Sequence, residues 1–352
     1  MEKAGRRPAG RWIERSSMTI LETELDEQRK AIIAVEGLAK RFGDVTAVES
    51  VTFAVSEGEL FGFLGPNGAG KTTTINVLTG LAWPDAGRIR IAGIDCSRNP
   101  KAAQHLIGVV PDESNLYPEL TGFGNLCFCA ALHGMRKKAR EARAGELLKT
   151  FGLEGAAHRK FAGYSKGMKR KLTIAAGIIH SPRILFLDEP TTGIDVASAR
   201  QIRQLIGDLH RSGTTIFLTT HYIEEAERLC DRIAFIVSGR IVRIDTVQDL
   251  IQPAREKHMM QIAFSNPVPS LSEKITAAFP MLTCQVQAAG LIRIEADEPI
   301  RVGPLVRFLE GQGVEVLEAK RLRPSLEDVF VRITGIEAET MRKEKEKTGG
   351  PA

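Results

Sequence analysis

A glycine-rich octapeptide, Gly65-Pro66-Asn67-Gly68-Ala69-Gly70-Lys71-Thr72, carries residue types suited to holding a polyphosphate. Its three glycines permit backbone conformations that turn successive N–H groups inward, which makes a concave nest for an anion. Lys71 is spaced to reach the β and γ phosphates, and the Thr72 hydroxyl is a ligand for a bridging Mg²⁺. The spacing therefore predicts a nucleoside triphosphate site, with a chance glycine-rich turn as the alternative.

Two acids and a histidine follow apolar runs farther along the chain. Arg183 to Leu187 reads as a buried strand, and Asp188 and Glu189 come directly after it. Carboxylates at the end of a buried strand are costly unless they serve a charge, such as Mg²⁺ on a triphosphate. We expect Asp188 to hold the metal and Glu189 to polarise the attacking water. Solvated acids in a turn are the alternative interpretation.

His221 ends the apolar run that begins at Thr214. At the carboxyl end of a parallel strand, where such sheets bind ligands, its ring could contact the γ phosphate. A structural histidine is the alternative. Phe42 lies in a predicted turn and could stack on an adenine, or else pack on its own sheet.

The phosphate loop needs particular flanking elements to work. Glu59 to Leu64 reads as a buried strand before it, and Thr72 to Thr79 as a helix after it, whose N-terminus would face the phosphates. Residues from about 121 to 180 are rich in Ala, Leu, Lys and Arg at helical spacing, which predicts a helical insertion. Short alternating runs mixed with helix-like runs after residue 253 predict a small α+β domain.

We predict four parts: a charged, flexible extension (1–30), a nucleotide-binding unit (31–252), a small α+β domain (253–335) and a disordered tail (336–352). Met18 is a possible internal start. The length of 352 residues fits about two domains, and 43% hydrophobic content is ordinary for a globular protein. A net charge of +5, with acids interspersed, gives little support to nucleic-acid binding.

Composition also indicates a compartment. The sequence has no apolar run long enough to span a membrane and no apolar secretory leader, so we expect a cytosolic chain. Five cysteines without framework spacing fit a reducing environment. Cys127 and Cys129 form a C-x-C pair that could bind a metal, but packing in the core is the favoured interpretation.

Taken in order, these motifs resemble the ATP-binding subunit of an ABC transporter over about residues 32–250. The segments that carry the resemblance are Phe42 (A-loop), Gly65 to Thr72 (Walker A), Tyr164-Ser165-Lys166-Gly167-Met168 (signature), Asp188 and Glu189 (Walker B), Gly193-Ile194-Asp195 (D-loop) and His221 (switch histidine). The signature variant, and the run from Pro324 to Phe330, are similar to the drug-resistance and ABC-2 type exporters.

The resemblance implies an α/β P-loop cassette with a mixed sheet core, an antiparallel β subdomain and a helical subdomain. It implies ATP and Mg²⁺, a head-to-tail homodimer and a membrane-spanning permease. The implied catalytic residues are Glu189, His221, Lys71 and Asp112, and the implied metal ligands are Thr72, Asp188 and Asp112. The implied nucleotide-binding residues are Phe42, Gly65, Pro66, Asn67, Gly68, Ala69, Gly70, Lys71, Thr72, Thr73, Ser165 and Gly167.

Two positions depart from the family pattern. Met168 replaces a commoner glutamine in the signature. Asp112 occupies the Q-loop position, where the family has a glutamine that reaches Mg²⁺ and the membrane partner. An aspartate can ligate Mg²⁺, but it adds negative charge near a phosphate and cannot donate a hydrogen bond. We expect weakened or differently coupled hydrolysis.

The function that the resemblance implies is ATP hydrolysis that powers export through a separate permease, at the cytoplasmic face of the membrane. One alternative is a non-transport ABC ATPase that acts on ribosomes or nucleic acid. A weakly hydrolysing regulatory nucleotide binder is another, which Asp112 keeps open.

Overall fold

The computed structural model describes residues 31–255, 257–266, 270–322 and 324–336. The extension predicted over 1–30, and the predicted tail beyond residue 336, lie outside the described residues. The described chain forms two compact units, 31–244 and 245–336. The domain limits predicted from the sequence, with a boundary after residue 252, stay predictions.

The first unit is built on two sheets. Their strands are β1 (Ile33–Phe42), β2 (Val45–Val55), β3 (Leu60–Leu64), β4 (Ala86–Ile91), β5 (Ile94–Asp95), β6 (Ile107–Val110), β7 (Ile184–Asp188), β8 (Thr215–Thr220), β9 (Arg232–Val237) and β10 (Arg240–Thr246). One sheet has the order β2-β1-β4-β5 and is antiparallel, and the other has the order β10-β9-β3-β8-β7-β6. The helices of this unit are α1 (Lys71–Leu78), α2 (Gly122–Leu132), α3 (Lys137–Thr150), α4 (Lys166–Gly177), α5 (Val196–Arg211) and α6 (Ile223–Leu229).

Parallel pairing in the six-stranded sheet decides where the site lies. β3 pairs in parallel with β8 and β9, and β7 pairs in parallel with β6 and β8. The carboxyl ends of β3, β7 and β8 therefore meet at one edge of the sheet, where ligands of parallel sheets bind. These strands are buried along their whole length, as their continuous apolar sequences predict.

An aromatic cluster joins the two sheets behind that edge. Phe53 of β2 stacks on Phe61 of β3 with ring centroids 5.6 Å apart, and Phe217 of β8 lies 5.8 Å from Phe53. All three rings are buried. Truncating one such ring to alanine costs about 3–5 kcal/mol. The cluster thus gives the loops at the sheet edge a rigid base.

The second unit is a small α+β domain, as the sequence pattern predicted. Its elements are α7 (Val247–Arg255), β11 (His258–Ser265), α8 (Leu271–Ala278), β12 (Thr283–Ala288), β13 (Leu291–Ala296), α9 (Val302–Gly311), β14 (Glu315–Leu322) and α10 (Leu326–Thr334). The antiparallel strand order is β12-β13-β11-β14. Its own apolar core includes Ile262, Ile275 and Leu309.

Residues 121–180 contain α2, α3 and α4, which form the helical part of the first unit. α4 begins after Ser165, whose side chain accepts a hydrogen bond from the Met168 N–H. Among the described residues, no helix combines the length and the apolar character that a membrane span requires.

Candidate functional site

The phosphate loop lies between β3 and α1, and close packing restricts it to glycine at two points. A Cβ at Gly65 would lie 2.1 Å from the Ile236 carbonyl oxygen, and one at Gly70 would lie 2.4 Å from the Ala47 carbonyl oxygen. Gly70 also has φ +101°, a left-handed conformation that side chains disfavour. At both positions the loop has other backbone directly behind it.

The turn between β9 and β10 holds the same loop from behind. The Gly239 N–H donates to the Ala69 carbonyl at 3.0 Å, and the Glu49 N–H of β2 donates to the Gly239 carbonyl at 2.8 Å. Both sheets therefore support the loop by main-chain contacts. Gly68 and Thr72 are exposed, and Pro66, Asn67 and Thr73 are half-buried, so this segment has one face open to a ligand.

Lys71 begins α1 and is buried at the centre of the site. Its Nζ donates to the carbonyl oxygens of Gly65 (2.8 Å) and Pro66 (3.0 Å), and it forms an ion pair with Glu189 Oε1 at 3.2 Å. The structure thus brings the acid after β7 next to the lysine of the phosphate loop. A separation between these residues would have excluded the predicted site.

Both carboxylate oxygens of Glu189 have partners, since Lys71 contacts Oε1 and two donors contact Oε2. His221 Nδ1 donates to Oε2 at 2.6 Å, and the Thr192 hydroxyl donates to the same oxygen at 3.0 Å. Burial would raise the pKa of Glu189, but the hydrogen bond from His221 and the positive charge of Lys71 outweigh burial and lower that pKa to about 2. Glu189 is therefore ionised at neutral pH, as a base must be.

Asp188 has the opposite electrostatic environment. Burial raises its pKa, and the negative charges of Glu189 and Asp112 add to this effect, while hydrogen bonds from Thr219 and Thr72 oppose it. A buried acid with raised pKa gains from a nearby cation. The Thr72 hydroxyl and the Asp188 carboxylate are oxygen ligands of the type that Mg²⁺ prefers.

This donor set fits Mg²⁺ bound together with phosphates. Among the described residues, no group of three or more His, Cys, Asp or Glu side chains could hold a metal alone. Mg²⁺ usually takes one or two carboxylates and completes its octahedron with waters and substrate phosphates. The described ligands are what that arrangement requires.

Phe42 and Asp112, two other predicted residues, have different surroundings. Phe42 ends β1 with its ring 55% exposed, so it is not packed into its own sheet, and Lys40 Nζ lies 5.2 Å from the ring centroid. Asp112 lies in the loop after β6 and forms an ion pair with Arg170 at 3.4 Å.

Ser165 and Gly167 are not brought to the phosphate loop of the same chain by any contact among the described residues. They lie at the start of α4, next to α5 instead. A Cβ at Gly167 would meet Ser198 Oγ at 2.2 Å. Ser165 is exposed at this helix start, whereas Gly167 is buried.

Sequence reasoning missed three residues of the site: Thr192, which donates to Glu189 as described above, Thr219 and Arg170. The Thr219 hydroxyl donates to Asp188, and its main-chain carbonyl accepts from the Glu189 N–H at 3.1 Å. Arg170 is buried on α4 and donates to the Glu189 carbonyl at 3.0 Å. Thr219 stands two positions before His221, which was a usable signal. Arg170 lies among other basic residues, and no sequence signal separates it from them.

Comparison with known proteins places this arrangement in a family. Residues 48–192 match the ABC transporter family. A linearmycin resistance ATP-binding protein of Bacillus subtilis is 34% identical over 86% of this chain and 98% of its own length. A Nod factor export ATP-binding protein of Rhizobium etli is 36% identical, over 89% and 97%. A daunorubicin resistance ATP-binding protein of Streptomyces coeruleorubidus is 36% identical, over 86% and 96%.

Solved structures agree with the sequence relatives. The ATP-binding subunit of an ABC transporter matches with a TM-score of 0.58 and 31% identity, over 63% of this chain and 93% of its own. A dimeric ATP-binding cassette with bound ADP and Pi matches with a TM-score of 0.57 and 28% identity, over 61% and 98%. The predicted fold class and family are confirmed: this chain belongs to the ABC transporter family and is an ATP-binding, ATP-hydrolysing subunit.

Proposed function

We propose that this ATPase powers export through a separate membrane-spanning permease, as one of two identical copies that close around two ATP molecules. The observation that carries the proposal is the contact of Glu189 with Lys71 on one oxygen and His221 on the other. These contacts support Glu189 as a buried, ionised base beside the lysine of the phosphate loop. Relatives named for resistance to, or export of, small molecules support export as the process.

In this mechanism the loop amides and Lys71 bind the β and γ phosphates. Binding exchanges the contacts of Lys71 to the Gly65 and Pro66 carbonyls for phosphate oxygens. Thr72 and Asp188, with Asp112 as a further candidate ligand, would hold Mg²⁺, which would supply positive charge to neutralise the phosphates. The ring of Phe42 offers a stacking face for adenine.

Glu189 accepts a proton from the water that attacks the γ phosphate, which is general base catalysis. His221 and Thr192 orient its carboxylate by donating to Oε2. In the dimer, Ser165 and the Gly167 N–H at the start of α4 donate to the γ phosphate of the ATP that the other copy binds. Two copies are then needed for each complete site.

The permease binds, in this proposal, beside the Asp112 loop and α2, and it holds the subunit at the cytoplasmic face of the membrane. Exposed apolar side chains on this face support a docking role, since Tyr117 and Leu132 are 51% and 73% exposed. Tyr117 packs edge-on against Phe128 with ring centroids 4.9 Å apart. This makes an aromatic surface that a partner helix could cover.

The test has two steps. The Glu189→Gln variant with ATP is first used to trap and purify the complex of this chain with its membrane partner. The wild-type complex is then reconstituted in lipid. We expect ATP turnover that rises at least severalfold over the isolated chain and rises further with a transported compound. Equal turnover with and without the partner, together with stimulation by ribosomes or nucleic acid, would replace export with the non-transport alternative. Very slow turnover under every condition would favour a regulatory nucleotide binder.

A further inference from the structure

Arg170 is a buried cation whose surroundings are acidic. It lies on α4, five positions after Ser165, and only 6% of its surface is exposed. Burial lowers the pKa of Arg170, while the negative charges of Asp112, Asp188 and Glu189 raise it. A buried charge is costly unless it is paired and hydrogen-bonded. The site therefore needs this cation for a reason other than packing.

The Arg170 guanidinium connects three segments of the unit. Nη1 donates to the Pro111 carbonyl, and Nη2 donates to the carbonyls of Asp112 (2.6 Å) and Glu189 (3.0 Å). Because a guanidinium is planar and rigid, it fixes the directions of all these acceptors at once. One side chain thus links α4, the loop after β6 and the end of β7.

Glu189 needs such support because its backbone is strained. Its φ is +48°, in the left-handed region that residues with side chains rarely adopt. Strained conformations persist only where the surroundings hold them. The Thr219 carbonyl accepts from the Glu189 N–H at 3.1 Å, and Arg170 binds the Glu189 carbonyl. The direction of the Glu189 carboxylate follows from this backbone.

Arg170 also balances the acid at position 112. Asp112 Oδ1 lies 3.4 Å from Arg170 Nη2, and the side chain of Asp112 is 39% exposed. Asp112 adds a negative charge near Asp188 and Glu189, close to the place where phosphates bind. Lys71 and Arg170 supply the positive charges that oppose these acids. Loss of Arg170 would remove one of the positive charges that oppose Asp112 there.

We propose that Arg170 is a positioning residue with two separable roles: it orients Glu189 through the main chain, and it neutralises Asp112 next to the phosphates. The proposal deepens the proposed function and rests on Glu189 as the base. Lysine at position 170 keeps the charge but loses the planar donor set. Glutamine at position 170 loses both the positive charge and the planar donor set. Asp112→Gln removes the negative charge that Arg170 opposes.

The experiment compares Arg170→Lys, Arg170→Gln and the double variant Asp112→Gln/Arg170→Gln, as full-length chains with the permease in lipid. We measure kcat, KM for ATP and affinity for a fluorescent ATP analogue. Arg170→Lys should keep KM within twofold and lose at least tenfold in kcat. Arg170→Gln should also raise KM and the analogue dissociation constant at least fivefold. The double variant should recover binding to within twofold of wild type but not kcat.

Controls separate these roles from general damage. Lys171→Gln removes a charge from the same helix and should leave kcat and KM within twofold. A variant that binds the analogue normally has a folded nucleotide site, and melting temperatures identify any that do not. A purely structural role would lower the melting temperature, lower kcat and raise KM together, even in Arg170→Lys.

Two results would overturn the proposal. Wild-type kcat in Arg170→Lys would exclude the positioning role, and equally weak analogue binding by the double and single glutamine variants would exclude the compensating role. If the proposed function fails because Glu189 is not the base, the result differs, since ATP turnover would then survive in Glu189→Gln. That result would also remove the positioning role, whereas the binding comparison needs no hydrolysis and would still decide the role of charge.

Discussion

Replacement of Glu189 by glutamine tests the centre of the mechanism. The change keeps the size of the side chain but removes the negative charge that Lys71 and His221 contact at 3.2 and 2.6 Å. An amide cannot take a proton from water as a carboxylate does. We therefore expect the variant to bind ATP, to hydrolyse almost none, and to accumulate as a dimer that contains ATP.

The magnitude follows from the role of Glu189 and from its contacts. A general base contributes roughly 10²–10⁴-fold in rate, which is about 3–5 kcal/mol of activation free energy. The pKa of Glu189 falls from 4.5 to about 2, which at about 1.36 kcal/mol per unit is about 3 kcal/mol of folding free energy. The nucleotide-free variant should thus melt at a lower temperature, and ATP should recover most of the loss because phosphates then pair with Lys71.

The assay is phosphate release by the lipid-reconstituted assembly at saturating ATP, with size-exclusion chromatography of the purified chain with and without ATP. Glu224→Gln is the matched control, because Glu224 is an exposed acid of α6 that pairs with Arg228. The control should keep turnover within twofold and stay monomeric under the conditions in which the wild type does. Turnover by Glu189→Gln within tenfold of the wild type would refute the assignment of Glu189 as the base.

Three further predictions concern the cradle, the base stacking and the pH. Gly70→Ala should abolish ATP binding, measured by ATP titration, since its Cβ would lie 2.4 Å from a carbonyl oxygen. Gly145→Ala, in open space on α3, should stabilise the chain by about 0.5–1 kcal/mol, measured by thermal melting. Phe42→Ala should weaken ATP binding about tenfold through lost stacking, while Phe42→Tyr should keep it within twofold. Because the folded pKa of Glu189 is depressed, its stabilisation is complete above its unfolded value of 4.5 and is lost as pH falls toward 2. The difference in unfolding free energy between wild type and Glu189→Gln should therefore be about 1 kcal/mol smaller at pH 3.5 than at pH 5. If the difference between their urea midpoints stays the same over this range, the prediction is wrong.

The sequence predicted the site best where the chemistry is local. The phosphate loop, the strand before it and the helix after it lie within about twenty residues, so their pattern could be recognised directly. Asp188 and His221 required only the rule that parallel strands end at one edge of a sheet. The family resemblance supplied the order of these motifs along the chain.

Features set by three-dimensional packing could not be predicted. Lys169, Arg170 and Lys171 are consecutive basic residues, and only the orientation of α4 shows that the middle one is buried. β12 has no strand signal in the sequence, because most of Thr283–Ala288 is exposed and the alternation that marks a half-buried strand is absent. β1 and β2 extend beyond their apolar parts, and their pairing with each other continues past these parts with three register shifts.

The support behind the phosphate loop has a consequence for how the protein tolerates change. The carbonyls of Ala47 and Ile236 stand where side chains at Gly70 and Gly65 would lie, and Gly239 binds the carbonyl of Ala69. The shape of the loop therefore depends on residues that lie outside it in the sequence. Displacement of the backbone at Ala47 or Gly239 would change the shape of the phosphate loop, so substitutions in β2 or in the turn between β9 and β10 can lower nucleotide affinity without contacting the nucleotide.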